Sequence, residues 1–141
     1  MDIQSLYDKI GQYAMITQNV ESYTTGDVYQ VWNSLHMTYG AFNANLNYVR
    51  QVDNYRVVNM TLYYGGKLLN DSSNVYEEQT NGFRAVMNVI RHLKEDYELD
   101  AYEDITIYPF WQTFADILAG AYADINIYIP IEDVCEEYDK E

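Results

Sequence analysis

The first hydrophobic residues of the chain recur at helical spacing. Between residues 2 and 17 the apolar positions lie mostly three or four residues apart, with polar residues between them, as an amphipathic helix requires. These positions are Ile3, Leu6, Ile10, Tyr13, Ala14 and Thr17. The stretch ESYTTGD is typical of a loop, and Gly26-Asp27 precedes a second, short predicted helix. Its predicted inward positions are Val28, Val31, Trp32 and Leu35.

From Thr38 onward the helical period gives way to strict alternation, which is typical of a strand with one wet side. One predicted face carries Phe42, Ala44, Leu46 and Tyr48, and the other carries Asn43, Asn45 and Asn47. A second alternating run, RVVNMTLYY, follows after Asp53-Asn54, so the two runs predict a hairpin. Its predicted inward positions are Val58, Met60, Leu62 and Tyr64. Gly65-Gly66 is predicted to end the second strand.

The strongest helical pattern runs from about Thr80 to Tyr97, with Thr80 as the predicted N-cap. Its apolar stripe consists of Phe83, Val86, Ile90, Leu93 and Tyr97, and its basic residues outside the stripe are Arg84, Arg91 and Lys94. Two further alternating runs, ITIYPFWQTF and AYADINIYI, are separated by ADILAG and predict a second hairpin. Because proline lacks an amide hydrogen, Pro109 predicts that the third strand is an edge strand or bulges there.

These elements predict an α+β fold, because each apolar face must cover another apolar face. We expect a two-layer sandwich in which an antiparallel sheet of about four strands, built from two hairpins, is covered by two main helices. Residues 1–130 are predicted to form a single domain, and residues 131–141 an acidic C-terminal tail. No apolar run is long enough to span a membrane, and the start MDIQSLYDKI does not resemble a signal peptide.

Charge is distributed unevenly along the chain. Residues 1–94 contain eight acids and seven bases, net −1, whereas residues 95–141 contain fourteen acids and Lys140 alone, net −13. A surface of this kind repels phosphate, so binding of nucleic acid through clustered lysine and arginine is not expected. The acidity serves either solubility alone or contact with a basic partner or passing DNA.

Candidate catalytic and metal-binding patterns fail on their spacing. His36 and His92 have no second ligand at metal spacing, and Cys135 is the only cysteine, with acidic neighbours that raise a thiol pKa. The run Asp96, Glu98, Asp100 and Asp104 lacks the glycine and the glutamate of a calcium-binding loop. Gly65-Gly66-Lys67 is too short for a phosphate-binding loop. We therefore expect no catalytic, cofactor or metal site and no enzymatic activity, although a pair among the twenty-two acids remains open.

Sixteen tyrosines are unusual for a chain of this length. Several are predicted to project from the outward faces of strands, namely Tyr63 with Tyr108, or Tyr122 and Tyr128, depending on register. Tyrosine provides a large contact area with a polar tip, and protein interfaces are enriched in it. Strands also favour aromatic residues without any partner. The composition therefore favours a surface that binds other protein subunits.

Three segments carry a family resemblance: DVYQVWNSLHMTYGAFN, NMTLYYGGKLLNDSSNVYEEQTNGFRAVMNVI and YPFWQTFADILAGAYADINIYI. In their order and spacing they resemble virion structural proteins of tailed bacteriophages that infect gut Bacteroidetes, the crAss-like group and its relatives. The shared features are a short aspartate-tyrosine-asparagine segment, a tyrosine-rich strand ending near Leu68-Leu69-Asn70-Asp71, an asparagine-glycine before a helix, and a phenylalanine-alanine-aspartate turn between two strands. The resemblance covers roughly residues 27–130. Where that family has an aspartate-arginine pair after the tyrosines, this chain has Gly65-Gly66-Lys67, so a salt bridge there is not carried over.

The resemblance implies a head-tail connector, either a tail-terminator or a neck-ring subunit, that forms a closed homo-oligomeric ring of six or twelve copies. Such a ring would contact portal, neck or tail proteins, pass DNA through its lumen without specific binding, and be located in the virion after assembly in the host cytoplasm. The alternative is a small acidic binding module that acts on a basic partner, for example as a DNA mimic. Neither function requires a cofactor or a membrane.

Overall fold

A computed structural model describes residues 2–34, 37–100 and 102–131, apart from the side chains of residues 34 and 103. The predictions made for Leu35, His36, Cys135 and most of the tail 131–141 lie outside these residues. The helices are α1 (Ile3–Met15), α2 (Val28–Ser34) and α3 (Val75–Asp96), with a short 3-10 turn at Tyr102–Asp104. The strands are β1 (Ser22–Thr25), β2 (Ala41–Val52), β3 (Tyr55–Lys67), β4 (Glu98–Leu99), β5 (Tyr108–Thr113) and β6 (Ile117–Pro130).

The α+β class is confirmed: a mostly antiparallel sheet packs against helices, chiefly α3 and α1. The strand order is β1-β2-β3-β6-β4, and β5 also pairs with β6, on the side away from β3. The two predicted hairpins are β2-β3, turning at Asp53-Asn54, and β5-β6. Since β5 pairs with β6 alone among the described strands, the prediction of an edge strand at Pro109 is confirmed.

The sheet has six strands where the pattern predicts about four. The segment ESYTTGD, predicted as loop, contains β1, which pairs in parallel with β2, so the sheet is mixed. The two residues of β4 directly follow α3 and pair with Ile127 and Tyr128 of β6. Strands of four and two residues are too short to show alternation. They form because the long central strands offer free edges with which they pair.

The main core lies between one face of the sheet and helices α1 and α3. Its fully buried residues alternate along β3 and β6 as predicted and repeat at helical spacing on α3. They include Val58, Met60, Leu62, Tyr64, Ala123, Ile125, Ile127, Val86, Ile90 and Leu93. Helix α3 approaches β6 closely at Gly82, where an added Cβ would lie 2.6 Å from the Ala121 amide nitrogen. This glycine therefore determines how near α3 lies to the sheet.

A second, smaller cluster lies on the opposite face of the sheet, under α2. Trp32 of α2 is fully buried and meets Phe114 and Tyr63 edge to face. The predicted inward position of Val28 is confirmed, whereas Val31 is only half-buried. The remaining members are Ala41 and Leu118. Helix α2 covers only this one end of the face.

The prediction that Gly65-Gly66 ends the second strand is wrong, because β3 continues to Lys67. A side chain at residue 65 would collide with Trp32, whose ring lies 2.7 Å from the ideal Cβ position. A side chain at residue 66 would likewise collide with the Glu78 carboxylate. These glycines therefore allow close packing on both faces of a continuing strand rather than a turn.

The prediction of Thr80 as the N-cap of α3 is also wrong. The helix begins at Val75, after Asn74, and the Thr80 hydroxyl donates to the Tyr76 carbonyl oxygen within the helix. The apolar stripe is confirmed at Val86, Ile90 and Leu93, but Phe83 is 54% exposed. Buried positions on the first three turns are instead the small residues Gly82 and Ala85, together with Val75.

A β-bulge corrects the predicted face of Tyr48. The pairing of β2 with β3 shifts between Leu46 and Tyr48, so that Leu46 lies opposite Met60 while Tyr48 lies opposite Asn59. The extra residue places Tyr48 on the polar face rather than beside Phe42 and Ala44. Further along, the segment ADILAG is not a separate connection, because β6 already begins at Ile117.

Candidate functional site

The sheet has one face that helices leave largely uncovered, and we call it the open face. It lies opposite α1 and α3 and beyond the end that α2 covers. Pairing across β2, β3 and β6 places three rows of side chains on it. The rows are Asn45-Thr61-Asp124, Tyr48-Asn59-Asn126 and Arg50-Val57-Tyr128. This face therefore carries amides, hydroxyls and aromatic rings at sheet spacing.

Amide and hydroxyl groups at the centre of the open face form a connected hydrogen-bond network. Asn47 donates to the Asn59 oxygen at 2.8 Å and to the Thr61 hydroxyl at 2.7 Å. Asn59 donates in turn to the Asn126 oxygen at 2.8 Å, and the Thr61 hydroxyl donates to the Asp124 carboxylate. Because each side chain holds the next in place, the network presents a pre-ordered polar surface with an exposed carboxylate at one end.

Three tyrosines form a stacked row beside this network. Tyr63 of β3 stacks on Tyr122 of β6 at 4.9 Å between ring centroids, and Tyr122 stacks on Tyr108 of β5 at 5.3 Å. Tyr128 lies three rows away and meets Tyr55 edge to face. The register alternatives left open by the sequence are thus resolved in favour of Tyr63, Tyr122 and Tyr108 as one row. Their stacking on one another restricts the orientation of the three rings.

Burial raises the pKa of Tyr63 to about 12, with the nearby Tyr29, Tyr122 and Asp124 adding to the effect. Two tyrosines outside the row behave similarly: burial and a hydrogen bond to Asp116 raise the pKa of Tyr39 to about 12. The Tyr13 hydroxyl donates to Asp96, and this hydrogen bond raises the pKa of Tyr13 to about 12. Burial also raises the pKa of Tyr23 and Tyr64.

The fold is expected to lose stability between pH 10 and 12 because of these five tyrosines. A phenol whose folded pKa lies above its ordinary value of 10.0 stabilises the fold below pH 10, and this contribution is lost as the pH rises to about 12. Tyrosinate absorbance near 295 nm, recorded with circular dichroism over this range, measures the effect. We expect a first group of tyrosines to ionise near pH 10 and the remainder only as the fold is lost.

The matched control for this titration is the Tyr63→Phe variant, which should lose one late-ionising group while keeping the fold. A single step near pH 10 that ionises all sixteen tyrosines while the fold persists would contradict the environments described above.

The outer edge of β2 borders the open face and is unpaired within the described residues beyond Ala44. Strand β1 pairs only with residues 41–44, so residues 45–52 have β3 on one side alone. The Tyr7 hydroxyl accepts from the Leu46 amide at 2.8 Å and satisfies one group of this edge. An edge of this kind, with Tyr48 exposed on it, is a ready template for pairing with another chain.

Two of the residues considered for metal or catalytic chemistry, His92 and Asp96, meet at Tyr13, whose hydroxyl donates to Asp96. His92 stacks on Tyr13 at 4.9 Å between ring centroids, and Asp96 pairs with Lys9 at 3.5 Å. The segment after α3, where the calcium-loop pattern fails, contains β4 and the 3-10 turn, with Asp100 and Asp104 exposed. Within residues 2–34, 37–100 and 102–131 there is no group of three or more potential ligands that could hold a metal ion. No helix in that part of the chain is both long and apolar enough to cross a membrane.

A polar cleft that the sequence did not indicate surrounds Glu78 on α3. It measures about 360 Å³, and Tyr64, Lys67 and Asn81 are among the residues that line it. Partial burial raises the pKa of Glu78, while the Asn81 amide donates to its carboxylate at 2.7 Å. Lys67, the cation at the cleft, pairs with Asp116 at 3.6 Å. The Tyr64 hydroxyl of β3 hydrogen-bonds to Glu78 and Asn81 of α3, so the cleft links α3 to the sheet.

Comparison with protein-family models gives no match to this chain, and comparison with curated proteins gives none either.

Proposed function

We propose that the chain is a ring-forming virion structural protein, a head-tail connector or tail-terminator subunit that joins the portal and neck to the tail around a DNA channel. The open face, with its tyrosine row and ordered amide network, is the observation that supports this proposal most. Tyrosine and amide side chains are suited to protein contact, because they combine apolar area with hydrogen bonding. The rest of the proposal rests on the resemblance to crAss-like phage proteins.

A ring requires a head-to-tail contact in which one patch meets a different patch on the next copy. The sheet offers two such patches, since residues 45–52 of β2 lie at one edge and β5 at the other. Pairing the β2 edge of one copy with the β5 edge of its neighbour would continue the sheet from subunit to subunit. Pro109 and Trp111 on β5 would then restrict which registers are allowed.

An acidic wall suits a channel that passes DNA, because like charge prevents the DNA from being held. Fourteen of the twenty-two acids belong to residues 95–141, and exposed Asp124 and Glu98 are among them. We propose that part of this acidic third lines the lumen, in a ring of six or twelve copies bound to portal, neck or tail proteins. The location that follows is the virion, after assembly in the host cytoplasm.

Substitution of Tyr48 tests the proposed contact. Tyr48 is 47% exposed at the β2 edge, so Tyr48→Arg should leave the monomer folded. If Tyr48 lies in a subunit contact, the variant should need at least about 30-fold more protein for half assembly, since an interface hot spot contributes about 2 kcal/mol or more. Sedimentation velocity across a concentration series measures the shift.

Tyr76→Arg provides the matched control. Tyr76 is 82% exposed on α3, on the other side of the sheet, and its substitution should leave assembly nearly unchanged. Equal effects of the two substitutions, or none from Tyr48→Arg in a wild-type protein that assembles, would contradict a contact at the open face.

The concentration of charge in residues 95–141 favours one alternative function, a free acidic binding module that mimics DNA. Such a protein should co-purify with a basic host enzyme and be absent from purified virions. Two results together would exclude the alternative: detection of the chain in washed virions by mass spectrometry, and no binding to basic host proteins at 0.15 M salt. At this salt concentration weak charge attraction is screened over about 8 Å.

A further inference from the structure

The outer surface of α3 carries an apolar groove with cationic sides. The groove measures about 250 Å³, and its floor is formed by Phe83, Met87 and Tyr102. Arg84 and Arg91, seven residues apart on the same side of the helix, line it as well. Phe83 is the residue that the stripe pattern placed in the core, yet it lies more than half exposed in this groove. An exposed aromatic ring beside two arginines is an arrangement that packing within the monomer does not explain.

Neither arginine is neutralised within the described residues. Arg91 donates to the Asn88 side-chain oxygen, and Arg84 forms no ion pair with any described acid. Lys94 adds a third cation, with its ammonium 5.5 Å from the centre of the Tyr102 ring. Asp104, on the same turn as Tyr102, is exposed. In a chain of net charge −14, this groove is therefore a local concentration of positive charge.

A second depression extends the groove across the helix. It measures about 210 Å³, lies against the loop that follows α1, and shares Arg84 and Asn88 with the first. The Asn88 amide donates to the Thr17 hydroxyl at 2.9 Å and fixes the junction. Arg84 thus projects between two adjoining depressions, where an extended segment could lie with carboxylates against the guanidinium.

The chain itself supplies a segment of complementary composition. Residues 132–141 contain six acids and Lys140, with Val134, Cys135 and Tyr138 as apolar residues between them. Carboxylates would pair with the two arginines, and the apolar side chains would cover Phe83 and Met87. Acidic and apolar residues follow one another along the segment, just as arginines and apolar side chains lie next to one another in the groove.

The reach of the segment within its own subunit differs along the groove. The described chain ends at Ile131, whose amide donates to the Asn54 carbonyl at the tip of the β2-β3 hairpin. Gly82, next to the groove, packs on Ala121, ten residues earlier in β6, which is roughly 33 Å of strand. Ten residues fully extended span no more than about 36 Å, so only the last residues could reach Arg84 of their own subunit. The Tyr102 end of the groove is nearer, because the Asp100 amide donates to the Asn126 carbonyl oxygen, five residues before Ile131. A neighbouring copy is not bound by this limit, and the mixing experiment below distinguishes the two sources.

We propose that the α3 groove receives the acidic segment 132–141 of a neighbouring copy, and that this contact holds adjacent subunits of the ring together. The proposal rests on the proposed ring function and names one of its contacts. It also assigns the two charge extremes of the chain to one contact: the cationic groove on one subunit meets the acidic segment of the next. This is a heterologous contact of the kind that ring closure requires.

Charge reversal in two variants tests the proposal. Arg84→Glu with Arg91→Glu should fold normally and need at least about tenfold more protein for half assembly, because charge-assisted hydrogen bonds become repulsions. Glu136→Lys with Glu137→Lys should have the same effect from the other side. Mixing the two variants in equal amounts should restore assembly, because alternating subunits then pair opposite charges. Restoration on mixing is expected only for a contact between copies.

The control is Lys9→Glu with Lys67→Glu, which changes net charge by the same amount away from the groove and should leave the half-assembly concentration within about threefold of wild type, as expected of surface charges. If mixing fails to restore assembly, if groove reversal has no effect, or if the control loses assembly equally, the proposal is overturned. Failure of the proposed ring function is distinguishable, because the wild-type chain would then form no ring under any of these conditions.

Discussion

Trp32→Ala is expected to lower the free energy of unfolding by about 3–5 kcal/mol, the usual effect of removing a large aromatic side chain from a core. Trp32 is fully buried between Gly65, Phe114 and Tyr63. Its indole nitrogen donates to the Thr24 hydroxyl at 3.1 Å, and this hydroxyl donates to the Asn43 oxygen at 2.7 Å. The substitution would therefore leave a cavity over Gly65 and remove one partner of a buried hydrogen-bonded chain.

The other tryptophan provides a control within the same chain. Trp111 is 58% exposed on β5, so Trp111→Ala should change the free energy of unfolding by less than about 0.5 kcal/mol. Urea unfolding followed by far-ultraviolet circular dichroism measures both variants without relying on tryptophan fluorescence. Similar midpoints for the two variants would show that α2 does not pack on the sheet as described.

Gly82→Val is expected to lower the free energy of unfolding by about 1–3 kcal/mol or more through overpacking. A Cβ at residue 82 would lie 2.6 Å from the Ala121 amide nitrogen and 2.9 Å from the Gly120 carbonyl carbon. Backbone atoms of a central strand have little freedom to move away, so α3 would have to shift outward. That shift would loosen the contacts of Val86 and Ile90 with the sheet.

Thr80→Val is the control for this substitution. Thr80 is exposed in the interior of α3, and its replacement should cost less than about 0.5 kcal/mol. A loss of about 1 kcal/mol would instead indicate that Thr80 caps the helix, as the sequence pattern suggested, and would contradict a helix beginning at Val75. Thermal unfolding of the two variants side by side distinguishes these outcomes.

The long elements of the fold are predictable because their periods are sustained. Alternation over β3 and β6 placed Met60, Leu62, Ile125 and Ile127 correctly in the core, since a buried sheet face must be apolar at every second residue. Helix α1 matched its predicted span within two residues at each end. These signals are local, so neighbouring residues alone are enough to produce them.

Glycine was the main source of error. Asn81-Gly82 and Gly65-Gly66 resemble helix-start and strand-end signals, yet both glycine sites lie inside regular elements. Each is required by an atom far away in sequence, the Ala121 backbone in one case and the Trp32 ring in the other. Such contacts leave no local periodicity. The same reason explains why the bulge that turns Tyr48 to the open face was missed.

The candidate interface was partly predictable. Outward positions of the tyrosines and the pairing of β5 with β6 followed from alternation, but the assembly of the tyrosines into one row depended on the strand register, which the sequence left open. The amide network was visible only as alternating asparagines on β2. The groove on α3 was not predictable, because Phe83 matched the apolar stripe and only the small residues Gly82 and Ala85 show why the stripe turns away from it.

The central proposal is that this chain closes into a ring, and electron microscopy of the purified full-length protein tests it most directly. Negative-stain images should be recorded over a concentration series, with the protein alone and with the portal or adaptor protein that the proposal names as its partner. The proposal predicts closed rings of one uniform size. They form either in both conditions with the same symmetry, or only when the partner is added. A protein that stays strictly monomeric at high concentration, with and without those partners, would contradict it.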